Sequence, residues 1–478
     1  MTGTLTAAAA DHAPLLERAF SRVPRDADYF LEAASGKVPE YLRGSYYVNG
    51  PAGLSRGDLR YRHWLDGDGM VAALHFTDEG VRFVCRFVRS TKFTTEEEAG
   101  KAVFRAFGTG FAGDQLKRGL GLESPVNVSV WPWNGTLLAF GEQGLPWELD
   151  PETLETRGEY TFDRRLTAVS PLSAHPNFDP RTGEMVNFGI SFSARHPSLS
   201  LYRFAKGGEL ALRQRLPLEL PCSVHDFGLS PSYAVFYLSP HVLDVEALTR
   251  GDQTLMDALA WQPERGSQLL VASRETGEKV ASLPIGSGYC LHLTNCFEDD
   301  GALVVDIVEL DRPVYDQYSI PEFFTDVRRA QPKRYVVDPE RGELRDTATL
   351  DYRNMCDFPA IDPRRAGRPT RDFWVLGISA TEHPGRKFFD QVVHADWQSG
   401  KIETYQAPPR CYLGGEPIFL YDPQDEDHGT VICQQFDAEN ETFAFLLFDA
   451  FDVARGPVAV LPLEEPIHLG FHASFHPA

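Results

Sequence analysis

Long hydrophobic runs are missing from this sequence. No stretch approaches about 18 uninterrupted apolar residues, so no helix is expected to span a bilayer. No basic region followed by an apolar run opens the chain between Met1 and Ala10, so no secretory leader is expected. Cysteine is sparse and unpaired in pattern. Cys85, Cys222, Cys290, Cys296, Cys356, Cys411 and Cys433 are odd in number, and none forms a CxxC pair. That excludes a disulfide framework and points to reduced thiols in the cytoplasm. Positive charge is also short: the formal net charge is −22. Phosphate backbones need Lys and Arg to neutralise them, so nucleic acid is excluded as a partner, as is electrostatic docking on anionic lipid.

What the sequence has in quantity is turn-forming and aromatic residues. It contains 40 Gly, 34 Pro and 32 Phe. That composition suits many short strands and tight turns rather than long helices. A recurring unit follows from it: an apolar stretch, a turn rich in Asp, Gly, Pro or Lys, then a polar-alternating stretch. It occurs seven times, at 73–88, 147–160, 201–214, 269–282, 334–347, 393–406 and 446–462. One such hairpin per four-stranded blade gives an all-β, seven-bladed β-propeller. Residues 1–25 are expected to be a disordered tail (1–10) and a short amphipathic helix (11–23), and 26–478 one catalytic domain. Three stretches break the strand rhythm: 94–119, with a helix expected to start at Thr94-Thr95-Glu96-Glu97-Glu98; 242–261, which also reads helical; and the Tyr- and Phe-rich 315–330. On a propeller these are long loops building a helical cap on one face.

Of fourteen histidines, four stand in distinctive contexts. His175 lies in Ser173-Ala174-His175-Pro176, His225 in Val224-His225-Asp226-Phe227, His292 in Cys290-Leu291-His292-Leu293, and His472 in Leu469-Gly470-Phe471-His472. Each follows or interrupts an apolar run and falls in a different blade. Inner strands of a propeller converge on its axis, so these rings can meet there. Four neutral imidazoles suit a borderline divalent ion such as Fe(II). His63 with Asp66 and Asp68 invites a second metal site, but the Asp-Gly pattern reads better as a turn between strands.

Further stretches carry a resemblance. The segments 42–51 (LRGSYYVNGP), 63–70 (HWLDGDGM), 144–151 (GLPWELDP) and 414–419 (GGEPIF), with the four histidine contexts in order, resemble the carotenoid cleavage oxygenases over nearly the whole chain, from about Val38 to His472. The resemblance implies one Fe(2+) per chain held by His175, His225, His292 and His472, with dioxygen as co-substrate. It places three carboxylates behind the rings, at Glu142, Asp357 and Glu416, to fix imidazole tautomer and orientation. Asp357 departs from the family's usual Glu. One methylene shorter, it is expected to need a backbone shift or a bridging water to reach its histidine. Val48 stands where the family more often has Arg, and Val128 where a side chain restricts access to the metal.

The implied reaction is oxidative cleavage of a conjugated C=C bond to two carbonyl products. Stilbene-cleaving relatives use a Lys before the first carboxylate and a Tyr upstream to bind a phenol. Gly141 and Phe104 occupy those positions here. An apolar polyene, cut at its central 15,15' bond to give retinal, is therefore the first expectation, in the manner of the bacterial apocarotenoid branch. Cleavage of stilbenes or propenyl phenols is the alternative, and a non-catalytic binding propeller is more remote. Phe104, Phe107, Phe111, Trp131, Trp147 and Phe471 are candidate tunnel residues, each also readable as plain core. An apolar substrate further implies peripheral contact with a membrane surface, through apolar residues around the tunnel mouth; a monomer is expected.

Overall fold

Seven antiparallel sheets make up the computed structural model, which describes residues 12–117, 121–251 and 253–478. Their innermost strands are Ala473–Pro477, Ser129–Trp133, Asn177–Phe178, Gly228–Leu229, Tyr289–Asp299, Met355–Ala360 and Cys411–Asp422, taken as blades one to seven. Inner strands of neighbouring blades pack on one another, so the sheets ring a common axis. All seven expected hairpins are present, and each forms the third and fourth strands of its blade, counted from the axis.

Burial explains why these hairpins were readable. Middle strands are packed on both faces, so Thr136–Phe140 is buried throughout. Outermost strands face water, and Glu343–Thr349 is exposed throughout. Turn chemistry marks the boundary between the two.

Two blades are closed by remote strands. Blade one takes the C-terminal Ala473–Pro477 as its inner strand, paired with Gly44–Ala52. Blade seven takes Ser35–Gly36 as an outer edge, paired with Pro457–Pro462. The chain's two ends thus lock the ring and leave no free inner edge.

The cap differs from expectation in its helices. The first helix is Thr91–Ala99, three residues earlier than the acidic run suggested. Ser90 caps it by accepting from Phe93 N, and Gly100 ends it in the left-handed region. Glu96, Glu97 and Glu98 therefore sit in its second half. A local capping hydroxyl outcompeted the dipole argument. Residues 103–117 run on as turns and isolated bridges. In 242–261 only Val245–Arg250 is helical, flanked by the paired strands His241–Leu243 and Leu259–Trp261. The N-terminal helix spans Glu17–Ser21, and the expected tail 1–10 lies outside the described residues, as do Asp11, 118–119 and Asp252 of the expected helices.

The insertions interlock. Met256 N donates to Phe107 O, Arg105 donates to Gly251 O, and Ile320 N donates to Arg62 O. The 63–68 segment anchors them. His63 Nε2 donates to Tyr315 O, while Asp66 accepts from Gly108 N and Thr109 Oγ1. His63 also accepts from Leu65 N and starts a single helical turn. These side chains are spent on the cap, as a turn reading requires, and not on a second metal. All seven cysteines are buried and unpaired. Among the described residues no helix is long and apolar enough to cross a membrane.

Candidate metal centre

The four histidines come from the entries of four inner strands. His175 precedes Asn177–Phe178, His225 precedes Gly228–Leu229, His292 lies within Tyr289–Asp299, and His472 immediately precedes Ala473–Pro477. Their ring centroids lie 4.3 to 6.5 Å apart across all six pairs. All four are buried, and one nitrogen of each lies within 4.8 Å of the others.

Strand irregularity aims these groups. The ladder slips on either side of Leu293, just past His292, between Asp357 and Ala360, and between Gly414 and Ile418. Bulges of this kind turn a side chain out of the pleat. At the second of them Phe358 takes φ +56°. That backbone shift lets the shorter Asp357 reach its ring directly: His292 Nδ1 to Asp357 Oδ1 is 2.6 Å, with no water between. The other two expected carboxylates are also in place. His225 Nδ1 donates to Glu142 Oε1 at 2.7 Å, and His472 Nδ1 lies 3.5 Å from Glu416 Oε2.

These partners decide the tautomers. A ring that donates from Nδ1 keeps its Nε2 lone pair bare. His292 Nε2 is buried with no hydrogen-bond partner. His175 Nε2 and His225 Nε2 lie 2.9 Å apart. Two lone pairs at that separation repel unless a proton or a cation lies between them. Neighbouring ligands around an ion held at roughly 2.1 Å sit about 3 Å apart. The donor set therefore fits a divalent metal.

Electrostatics agree. Burial, then the neighbouring rings, hold His175 well below the usual imidazole range. Burial likewise lowers His472, against the pull of Glu416. Burial works against a charged His225, but Glu142 outweighs it and raises that ring.

Two residues beside the rings escaped the sequence reading. Tyr315 places its hydroxyl 3.4 Å from His225 Nδ1. Asp226, next to His225 in the chain, is buried, which raises its carboxyl to about 7 against two backbone donors. A cation among the rings would draw it back toward the carboxylate. Neither had a local signal beyond membership of a quoted segment.

Two cavities open on the cap side of the rings. The larger, about 430 Å³, is lined by Phe107, Leu122, Glu142, Phe192, Leu255 and Tyr315 among others. A narrower one runs beside Phe107 and Leu65. Of the candidate tunnel residues, Phe107 lines both. Val128 and Phe471 are buried beside His472, whose N–H donates to Val128 O. Phe104, Phe111 and Trp147 line neither cavity. Trp131 borders a third cavity, of about 380 Å³, further along the inner strands and away from the cap.

Asp357→Ala should weaken metal binding about thirtyfold, because a buried ring N–H loses its only acceptor. Competition with a chelator of known affinity measures this. Unchanged affinity would remove Asp357 from the centre.

Comparisons with known proteins bear on this centre. The family model described as retinal pigment epithelial membrane protein matches residues 20–477. The apocarotenoid-15,15'-oxygenase of Synechocystis sp. is 30% identical over 96% of this chain and 95% of its own. Isoeugenol monooxygenase of Pseudomonas nitroreducens is 25% identical over 95% of each. A solved structure of a Synechocystis apocarotenoid oxygenase mutant superposes with a TM-score of 0.89 at 27% identity, covering 98% of this chain and all of that one.

Proposed function

The chain belongs to the retinal pigment epithelial membrane protein family of carotenoid cleavage oxygenases, and on that premise we propose that it is an iron(II)-dependent dioxygenase that splits a conjugated C=C bond of an apocarotenoid. The observation that carries this reading is the convergence of four buried imidazoles, one nitrogen of each within 4.8 Å of the others, with His292 Nε2 left without a hydrogen-bond partner. His175, His225, His292 and His472 are the ligands. Ferrous ion supplies the electron chemistry by which dioxygen reacts with an alkene. With four neutral ligands the ion keeps its charge. The alkene and one O2 become two carbonyls, so no protein nucleophile or general base is needed.

The chain's own residues do the rest. Glu142, Asp357 and Glu416 hold the rings in the productive tautomer. Phe107, Leu122, Phe192, Leu255 and Tyr315 surround the space where an apolar chain would lie. The interlocked cap keeps bulk water from that space.

A polyene is favoured over a phenolic substrate by Gly141. The site of its missing side chain is filled: a Cβ there would lie 2.1 Å from Ser124 Oγ and 3.1 Å from Val126 N. A lysine cannot enter at that point to bind a phenolate. Cleavage at the 15,15' bond, giving retinal, is the specific form of the proposal. It draws on the Synechocystis relative's name.

Incubating iron-loaded protein with an apocarotenal, resveratrol and isoeugenol in parallel tests it. Retinal-length aldehydes from the first, with at least about tenfold preference in kcat/KM, are expected. Benzaldehydes as the main products would move the assignment to the phenolic branch. Peripheral membrane contact belongs to the same proposal: Val169, beside the larger cavity, is 65% exposed. Sedimentation with liposomes tests that separately.

A further inference from the structure

Three of the four rings have Glu142, Asp357 or Glu416 behind them, and His175 has none of these. Its Nδ1 faces Asp226 Oδ1 at 3.8 Å. Asp226 is held from two sides. Phe227 N donates to Oδ1 and Leu293 N to Oδ2, both at 2.7 Å. Leu293 follows His292 directly, and Asp226 follows His225 directly. One carboxylate thus ties the peptide units beside two of the rings and faces a third ring.

A carboxylate buried this far needs positive charge or donors to offset its lost hydration. Among the described residues no lysine or arginine pairs with it; its one ion-pair neighbour is His175. Its side chain is 10% exposed and borders the 380 Å³ cavity on the far side of the rings. Both backbone donors orient the group so that Oδ1 points to the imidazole.

Resting on the reading of the four histidines as ligands, we propose that Asp226 is the positioning residue for His175. Its carboxylate accepts the Nδ1 proton of that ring and so directs Nε2 to the shared centre. The outer ring of carboxylates then numbers four. A charge-assisted bond of about 2.8 Å requires an approach of about 1 Å. The cavity beside Asp226 leaves its side chain room to adjust.

The test uses the full chain loaded with cobalt(II), whose paramagnetism shifts the ring N–H protons clear of the rest of the proton spectrum. Four slowly exchanging shifted N–H signals are expected from the native chain. Three would overturn the proposal, because a His175 N–H without an acceptor exchanges faster than the three that are held by carboxylates. Asp226→Asn keeps the size of the side chain and removes its charge. It is expected to displace one of the four signals and to weaken cobalt binding about tenfold. Binding within twofold of native, with all four signals unmoved, would also overturn it. Should Asp226→Asn fail to fold, the count of signals in the native chain still decides. A native chain that binds no cobalt sinks the reading of the four histidines themselves, which separates that failure from this one.

Discussion

Replacing His292 by alanine should leave the protein without stoichiometric iron and lower alkene cleavage by roughly a thousandfold or more. His292 is the sharpest test of the centre because its ring is committed on both sides. Nδ1 is bound to Asp357, and Nε2 has no partner in the protein. Removing the ring also strips the fully buried Asp357 of its imidazole donor, leaving Phe358 N. Some loss of stability, about 1–3 kcal/mol, is therefore expected beside the loss of metal. Ligand linkage separates the two. Native protein should gain stability on adding ferrous ion, by about 2.7 kcal/mol when free metal is a hundred times its Kd. The variant should show no such gain. Elemental analysis and thermal melts with and without a chelator measure both. A His292→Ala protein that still carries one iron per chain would dissolve the assignment.

The histidines were legible because each sits at or near the entry of a separate inner strand, inside a short segment with its own residue pattern. The carboxylates at 142, 357 and 416 came into view only through the resemblance to the family. Asp226 and Tyr315 were not legible. Asp226 acts through a neighbour fifty residues upstream, and Tyr315 reaches the Glu142–His225 pair from an inserted loop. Only tertiary contact makes either visible. The route by which Asp357 meets its ring was half legible. Its short side chain demanded a backbone shift, but the position of that shift, at Phe358, depends on how two strands slip past each other.

The blades show the same division. Hairpins are local, and their turn chemistry is written within a few residues. The strands that close blades one and seven pair across more than four hundred residues, and nothing in Ser35–Gly36 or Ala473–Pro477 marks them as ladder partners. Helix limits in the cap failed for a related reason. Glu96 reads as an acid at a helix start, yet its carboxylate serves contacts well outside the helix.

Those contacts make Lys92→Met the most destabilising single change expected in the cap. Lys92 Nζ donates to Asp68 Oδ1 at 2.9 Å, to Glu96 Oε2 at 3.0 Å and to Tyr61 OH at 3.1 Å. Its side chain is 1% exposed, and both acids are fully buried. Burial lowers the pKa of the ammonium, but Asp68, Tyr61 and Glu96 together outweigh burial and raise it. Without the lysine, Asp68 keeps Arg56, while Glu96 keeps only neutral donors: Tyr61 OH, Val103 N and Phe104 N. An uncompensated buried carboxylate of this kind costs about 3–5 kcal/mol. Chemical denaturation should register that loss. The same carboxylate fastens the start of the 103–109 turn, which carries Phe107 into the lining of both cap-side cavities, so KM for the proposed substrate should rise as well. Glu96→Gln added to Lys92→Met removes the stranded charge. The double variant should recover at least about 1 kcal/mol relative to the sum of the single changes. Strict additivity would mean that the lysine contributes packing and no charge.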